Sequence, residues 1–294
     1  MQTADQPPRP AGTDPARAAL ARVYDLFLGG TDAYAIEHDL GQQLRAIAPD
    51  IDQIFTDERD FLIRACHYLT EHAQISRFLI SWAGFPHRET LHDVILRANP
   101  DATISYIAHD PLILATLRAE MDTVTGAHVI NADIFTPPTV LTHPHITRTL
   151  ADDTPVCWVL LGIWSHIDDA YGDPAAIVRE YVRAAPTGSY VVSSWLTNPT
   201  PGSGSTAQRI VDTMRHSALG SGRTFTPTEI ATATDELDIV PADLTDDAPG
   251  PVPCFLWWQN GPHTECRTTP HDSGRLNVAV VALVARTTPR QATQ

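Results

Sequence analysis

Apolar and polar positions repeat along this chain with two periods, and the changes of period mark its elements. From residue 19 the pattern is helical, with Leu20, Val23, Tyr24, Phe27 and Leu28 on one face, up to a stop at Gly29-Gly30. Thr31 and Asp32 offer capping oxygens for the next helix. Helices are expected over 39–48 and 51–73, the second with Phe61, Leu62, Ala65 and Leu69 inward and Arg59, Asp60 and Arg64 toward water. An apolar strand over 77–81 then runs into a turn at Gly84 and Pro86. A helical pattern (Leu91, Val94, Ile95) comes after it, and a second strand over 103–108 ends at His109, Asp110 and Pro111. This β-α-β unit has the size and order of a half-Rossmann nucleotide site.

Downstream, strands and helices keep alternating. A helix over 112–121 precedes a strand over 128–132, and the connection over 137–150 has room for a single helical turn. The run PVCWVLLGI at 155–163 is apolar throughout, as a central parallel strand buried on both faces must be. A helix over 174–184, a strand over 188–195, a flexible loop over 197–206 and a helix over 207–217 come next. Thr226, Pro227 and Glu229 combine a capping hydroxyl, an N1 proline and a first-turn carboxylate, which predicts a helix over 226–237. Strands at 237–240 and 276–285 close the sheet as an antiparallel edge. The expected architecture is α/β: a doubly wound, mainly parallel sheet behind a helical N-terminal cap. The boundaries predicted are a disordered leader over 1–18, the cap over 19–76 and a Rossmann-like domain over 77–288.

Composition narrows the function classes. The formal net charge is −15 and lysine is absent, which disfavours a nucleic-acid partner, because a phosphate backbone needs a basic face. No apolar run approaches the ~20 residues of a membrane span. The four cysteines, Cys66, Cys157, Cys254 and Cys266, form no C-x-x-C pair, so zinc or a disulfide framework is not expected, and Cys157 reads as inert core. With no apolar signal core at the start, these features place the chain in the cytoplasm. The group His87, Arg88, Glu89, His92 and Asp93 lacks the H-E-x-x-H spacing of a zinc helix, so no metal is expected. No G-x-G-x-x-G comes after the first strand, which disfavours an NAD(P) dehydrogenase, and neither a G-x-S-x-G elbow nor a Walker loop occurs.

The stretch ARVYDLFLGGTDAY (21–34) resembles the opening of an actinobacterial family of S-adenosylmethionine-dependent methyltransferases, R-V-Y-D-x-x-L-G-G-K-D/N-x-Y/F. Further matches occur in order: Arg59, Phe61, Leu62 and Arg64; Gly84 and Pro86 with His92-Asp93-Val94; 106–111; Ala132-Asp133; 155–166; 173–178; and Gly188-Ser189-Tyr190. The resemblance implies a class I methyltransferase fold, S-adenosyl-L-methionine as cofactor and a small-molecule substrate. It also implies roles. Arg22, Tyr24 and Gly30 would close over the cofactor, Gly84 would form the first loop, and Asp133 would face the adenine.

The departures from that pattern are as informative as the matches. The family's D-I-G-T-G-L-P is Ile80, Ser81, Trp82, Ala83, Gly84, Phe85 and Pro86 here, and its V-D-N-D-P is Ile107, Ala108, His109, Asp110 and Pro111. A carboxylate and a glycine are gone from the first loop, and Ala108 stands where the ribose-binding carboxylate is expected. Thr31 replaces the lysine. His109 and Asp110 are candidates to hold the adenosine by another route, with helix capping as the competing reading of Asp110. Gly30 reads equally as a plain helix stop, and Asp133 as a turn cap. His166, after the central strand, is the candidate general base, against a reading as a polar surface residue. Trp257 and Trp258 either line a substrate pocket or pack in the core. Two functions stay open: a methyltransferase with altered cofactor contacts, or a repurposed fold that binds another ligand or a partner.

Overall fold

The computed structural model describes residues 20–81, 90–161, 164–166, 172–198, 204–242, 250–258 and 280–288. Three helices come first: α1 (Leu20–Phe27), α2 (Ala35–Ile47) and α3 (Ile51–Glu71). The alternating part runs β1 (Arg77–Ile80), α4 (Leu91–Ala98), β2 (Thr103–Ala108), α5 (Pro111–Met121) and β3 (Ala127–Asn131). It continues with α6 (Pro137–Leu141), α7 (Pro144–Thr149), β4 (Cys157–Leu160), α8 (Pro174–Ala184) and β5 (Tyr190–Leu196). Then come α9 (Thr206–His216), α10 (Pro227–Ala233), β6 (Leu237–Ile239), β7 (Val252–Pro253) and β8 (Val280–Thr287). Among the described residues no helix is long and apolar enough to cross a membrane.

The sheet order is β3-β2-β1-β4-β5-β8-β6. β1 to β5 are parallel, and β8 runs antiparallel to β5 along the whole of β5, from Tyr190↔Arg286 to Leu196↔Val280. The other side of β8 is shared by two short antiparallel partners, β6 near Ala285 and β7 near Val281. The expected antiparallel edge is therefore β6 on β8.

Alternation along each strand builds two cores. In β4, Cys157 and Val159 face one layer with α3, α4 and α5, while Trp158 and Leu160 face α8 and α10 on the other. All four are fully buried, as the continuous apolar run requires. A third core joins α1 and α2 to α9 through Val23, Phe27, Leu40, Leu44, Ile210 and Met214. Burying each such aliphatic or aromatic side chain contributes about 1.5–3 kcal/mol, which is what fixes the cap onto the carboxyl edge of the sheet.

Several local expectations change. Asp60 and Arg64 do not face water but are 6% and 3% exposed, because the segment from Cys254 to Trp257 covers that face of α3. Arg64 Nε donates to the Trp257 carbonyl at 2.9 Å and Nη2 to the Cys254 carbonyl at 2.8 Å. Trp257 packs edge-on to Phe61 and Tyr68, and Trp258 packs on Tyr68, so the tryptophan pair is core. Thr31 and Asp32 do not cap α2. The entry is made by the Tyr34 N–H donating to Glu37 Oε2 at 2.9 Å, while the Asp32 N–H turns back to Asp25 Oδ2 at 2.9 Å. The connection over 137–150 holds two short helices, each with a proline in its first turn.

Candidate active site

In an open parallel sheet, ligands sit beyond the carboxyl ends of the strands where the order reverses, here between β1 and β4. Much of the chain just past those ends, residues 82–89, 162–163 and 167–171, lies outside the described residues, and with it Trp82 and Gly84. The described side chains at β1 are apolar or already occupied. Ile80 is fully buried in the core. The Ser81 hydroxyl donates to the Val159 carbonyl at 2.8 Å, tying the end of β1 to β4. At the end of β2, Ala108 is half-buried against the core and offers no side-chain acceptor.

His109 comes next as an exposed residue. Asp110 is the N-cap of α5: its Oδ1 accepts from the Leu112 and Ile113 N–H groups at 2.8 and 3.1 Å, with Pro111 at N1. Asp133 Oδ1 accepts from the Phe135 N–H at 3.0 Å, the geometry of a turn cap. Both carboxylates thus have a local structural task.

The N-terminal motif folds largely onto itself. Arg22 Nε pairs with Glu37 Oε1 at 2.9 Å, both side chains essentially buried, and the guanidinium lies 4.8 Å from the Tyr34 ring centre. Gly29, at φ +80°, makes the helix stop. Gly30 has a different reason to be glycine. A Cβ there would come within 2.0 Å of Asp25 Oδ1, so the Asp25 carboxylate packs against its bare backbone.

Tyr24 and His166, far apart in the sequence, line one cavity. Its volume, open mouth included, is about 600 Å³, and α1, α3, β5, β8, α9 and the turn after β4 form its walls. Most of the lining is apolar, with Ile54, Phe55, Leu196, Ile210 and Met214 prominent. The polar exception is a group around Glu58, which is 5% exposed. The Tyr24 hydroxyl donates to Glu58 Oε2 at 2.8 Å, and the Ser194 hydroxyl donates to Oε1.

Burial raises the Glu58 pKa, opposed by the hydrogen bonds from Ser194 and Tyr24. Burial, reinforced by Glu58, holds the Tyr24 phenol well above its ordinary value, so it stays a donor. Burial lowers His166 to about 4, so its imidazole is neutral at neutral pH and able to accept a proton. Its Nδ1 lies 3.2 Å from the Ser221 hydroxyl. His166 is half-buried in the cavity wall rather than a plain surface residue. Among the described residues no cluster of three metal-capable side chains occurs.

Glu58, Ser194 and Ser165 in this wall were not singled out by sequence. A signal for Glu58 existed: it continues the inward stripe Ile51, Ile54, Phe61 and Ala65 of α3, where a carboxylate is out of place. Ser194 sits in the buried half of β5 and gave no comparable sign.

Comparison with known proteins bears on the family and the fold. The sequence model of the S-adenosyl methyltransferase family matches residues 7–288. A proposed methyltransferase from Thermobifida fusca YX superimposes with a TM-score of 0.81 at 26% identity, over 93% of this chain and 96% of that one. A protein of the DUF574 family from Streptomyces avermitilis superimposes with a TM-score of 0.79 at 25% identity, over 93% of this chain and 98% of the other. The sheet is the Rossmann-like one of class I methyltransferases, and by the match over nearly its whole length the chain belongs to the S-adenosyl methyltransferase family.

Proposed function

We propose that this chain is a methyltransferase-type enzyme acting on a small molecule bound in the cavity beneath the cap, with altered contacts to S-adenosylmethionine. The observation that carries the reading is the cavity itself. It lies at the carboxyl end of β5 and the turn after β4, and it is mostly apolar with a few convergent polar groups, as small-molecule sites are. His166 in its wall is uncharged at neutral pH, and because burial lowers its pKa to about 4 and so makes it a weak base, its role is to orient a substrate O–H or N–H by accepting a hydrogen bond. The cap helices contribute Tyr24, Ile54 and Phe55 to the wall of the same space.

The described residues do not fit S-adenosylmethionine in the family's usual manner. Ile80 and Ala108 present no carboxylate at the two strand ends where the family carries one, and Asp110 and Asp133 accept from their own backbone turns. Each missing charged hydrogen bond is worth about 1.5–3 kcal/mol. Two of them weaken the cofactor by about two to four orders of magnitude. The same two residues favour the second reading, a repurposed fold that has given up the cofactor.

Titration of S-adenosylmethionine and S-adenosylhomocysteine, by calorimetry and by thermal shift up to millimolar ligand, tests the proposal. A rise in Tm with either ligand supports cofactor use, since a ligand that binds the folded state must stabilise it once it exceeds its Kd. No rise with either removes methylation and leaves the repurposed fold.

A further inference from the structure

His166 stands in the cavity wall but is anchored from outside it. It ends the short 3-10 helix Trp164–His166, and its Nδ1 lies 3.2 Å from the hydroxyl of Ser221, 55 positions away between α9 and α10. Ser221 is not among the residues that line the cavity, so the ring nitrogen left to face it is Nε2. Among the described residues Nε2 has no hydrogen-bond partner. The other polar side chains of the wall are engaged with one another or with the backbone. The Tyr24 and Ser194 hydroxyls donate to the two carboxyl oxygens of Glu58, and the Ser165 hydroxyl accepts from the Leu196 N–H at 3.4 Å. Burial keeps His166 uncharged at neutral pH, with one N–H and one bare nitrogen. Which nitrogen is bare is set by the bond that the other one makes. A proton on Nε2 would aim a donor into an apolar wall, and buried N–H groups without an acceptor are rarer in folded proteins than acceptors short of a donor. A proton on Nδ1 has the Ser221 oxygen to receive it, and half-buried Ser221 keeps its own hydrogen for solvent.

We infer that Ser221 is a positioning residue: it holds the His166 proton on Nδ1, so that the Nε2 lone pair faces the cavity and selects uncharged ligands that donate one hydrogen bond, apolar alcohols or phenols. The hydrocarbon body of such a ligand lies among Ile54, Phe55, Ile210 and Met214. This selection rests on the reading of the cavity as the substrate site, and it names the substrate class of that site. One bare ring nitrogen matches one hydroxyl hydrogen. An ether of the same shape has no hydrogen to give. A carboxylate meets no cation, since among the described residues no arginine lines the cavity and the chain has no lysine. An ammonium brings three donors where Nε2 offers one lone pair, and Glu58 already receives two hydroxyls while burial raises it toward its neutral form.

The tautomer is read on the full chain labelled with nitrogen-15 histidine, by long-range proton–nitrogen NMR at neutral pH. The His166 signal, assigned by its loss in His166→Gln, is expected to show Nδ1 protonated and Nε2 bare. Ser221→Ala removes the acceptor and is expected to move the proton to Nε2 or to mix the two forms. Ser221→Thr keeps a hydroxyl and is expected to retain the parent form. Ligand preference is read by calorimetry without cofactor, using 4-phenylbutanol and its methyl ether. The alcohol is expected to bind about three- to tenfold more tightly than the ether, as one neutral hydrogen bond implies, and to shift the Nε2 resonance. In Ser221→Ala the two probes are expected to bind within about twofold of each other. A parent His166 protonated on Nε2, or a tautomer unchanged in Ser221→Ala, would overturn the role of Ser221. An ether that binds as tightly as the alcohol, an alcohol that leaves Nε2 unmoved, or tighter binding of 4-phenylbutylamine or 4-phenylbutyrate would overturn the ligand class. Binding of neither probe at millimolar concentration removes the cavity reading and the ligand class with it. The tautomer is measured on the free protein, so failure of the Ser221 assignment is distinct from failure of the cavity to bind.

Discussion

The carboxyl edge of this sheet has two halves of opposite character. At the ends of β1 and β2 the described side chains are Ile80, Ser81 and Ala108, apolar or bonded to the neighbouring strand. At the ends of β4 and β5, under α1 and α3, a buried carboxylate, a phenol, a serine and a neutral imidazole meet in an apolar cavity. The family fold is intact on both sides. Among the described residues the second side gathers a desolvated acid and a depressed histidine in one cavity wall. Buried polar groups of that kind cluster at functional sites, which is what supports the proposed placement of the substrate in the cavity.

The largest expected effect breaks the contrast at its apolar half. Ala108→Asp restores a carboxylate at the end of β2 and is expected to tighten S-adenosylhomocysteine by about 1.5–3 kcal/mol, or roughly tenfold to a hundredfold. Calorimetry measures it, and an unchanged affinity would remove Ala108 from the proposed alteration of the cofactor contacts.

A smaller effect separates capping from gripping at Asp110. Asp110→Ala removes the acceptor for the Leu112 and Ile113 N–H groups and is expected to cost about 1 kcal/mol in urea unfolding. Cofactor affinity should stay within about twofold of the parent once the loss of stability is allowed for. A tenfold loss of affinity would return Asp110 to the ligand site.

The smallest effect concerns pH. His145, whose Nε2 lies 2.9 Å from the Ser105 hydroxyl of β2, is lowered to about 4, first by burial and then by His128, Arg148 and His143. The unfolded chain takes up that proton first, near the ordinary histidine value of about 6.5. Stability present above about pH 6.5 is therefore lost as pH falls toward 4. His145 is partly exposed, so its share is of order 1 kcal/mol after solvent screening. His145→Gln should flatten the dependence of Tm on pH between about 4.5 and 7. An unchanged slope would assign the loss to other groups, His166 first.

How much of this could be read beforehand depends on the range of the interactions. The β1-α4-β2 unit, the buried β4 run and the Thr226 cap were legible, since each is set by periodicity or by residues within one turn. The Asp110 cap was legible as one of two readings for the same reason. Arg64 was misplaced because its partners, the Cys254 and Trp257 carbonyls, lie 190 and 193 positions away. The distinct tasks of Gly29 and Gly30 were hidden as well: a positive φ in one and a carboxylate packed on the other look alike as letters. By itself the sequence determined the alternation of strands and helices, the main apolar face of most of them and the family to which the motifs belong. Only the tertiary structure decided that Tyr24, Glu58, His166 and Ser194 share one cavity. Their helices and strands are apolar by local pattern, and only packing of the cap onto the carboxyl edge closes a space around the few polar atoms they carry.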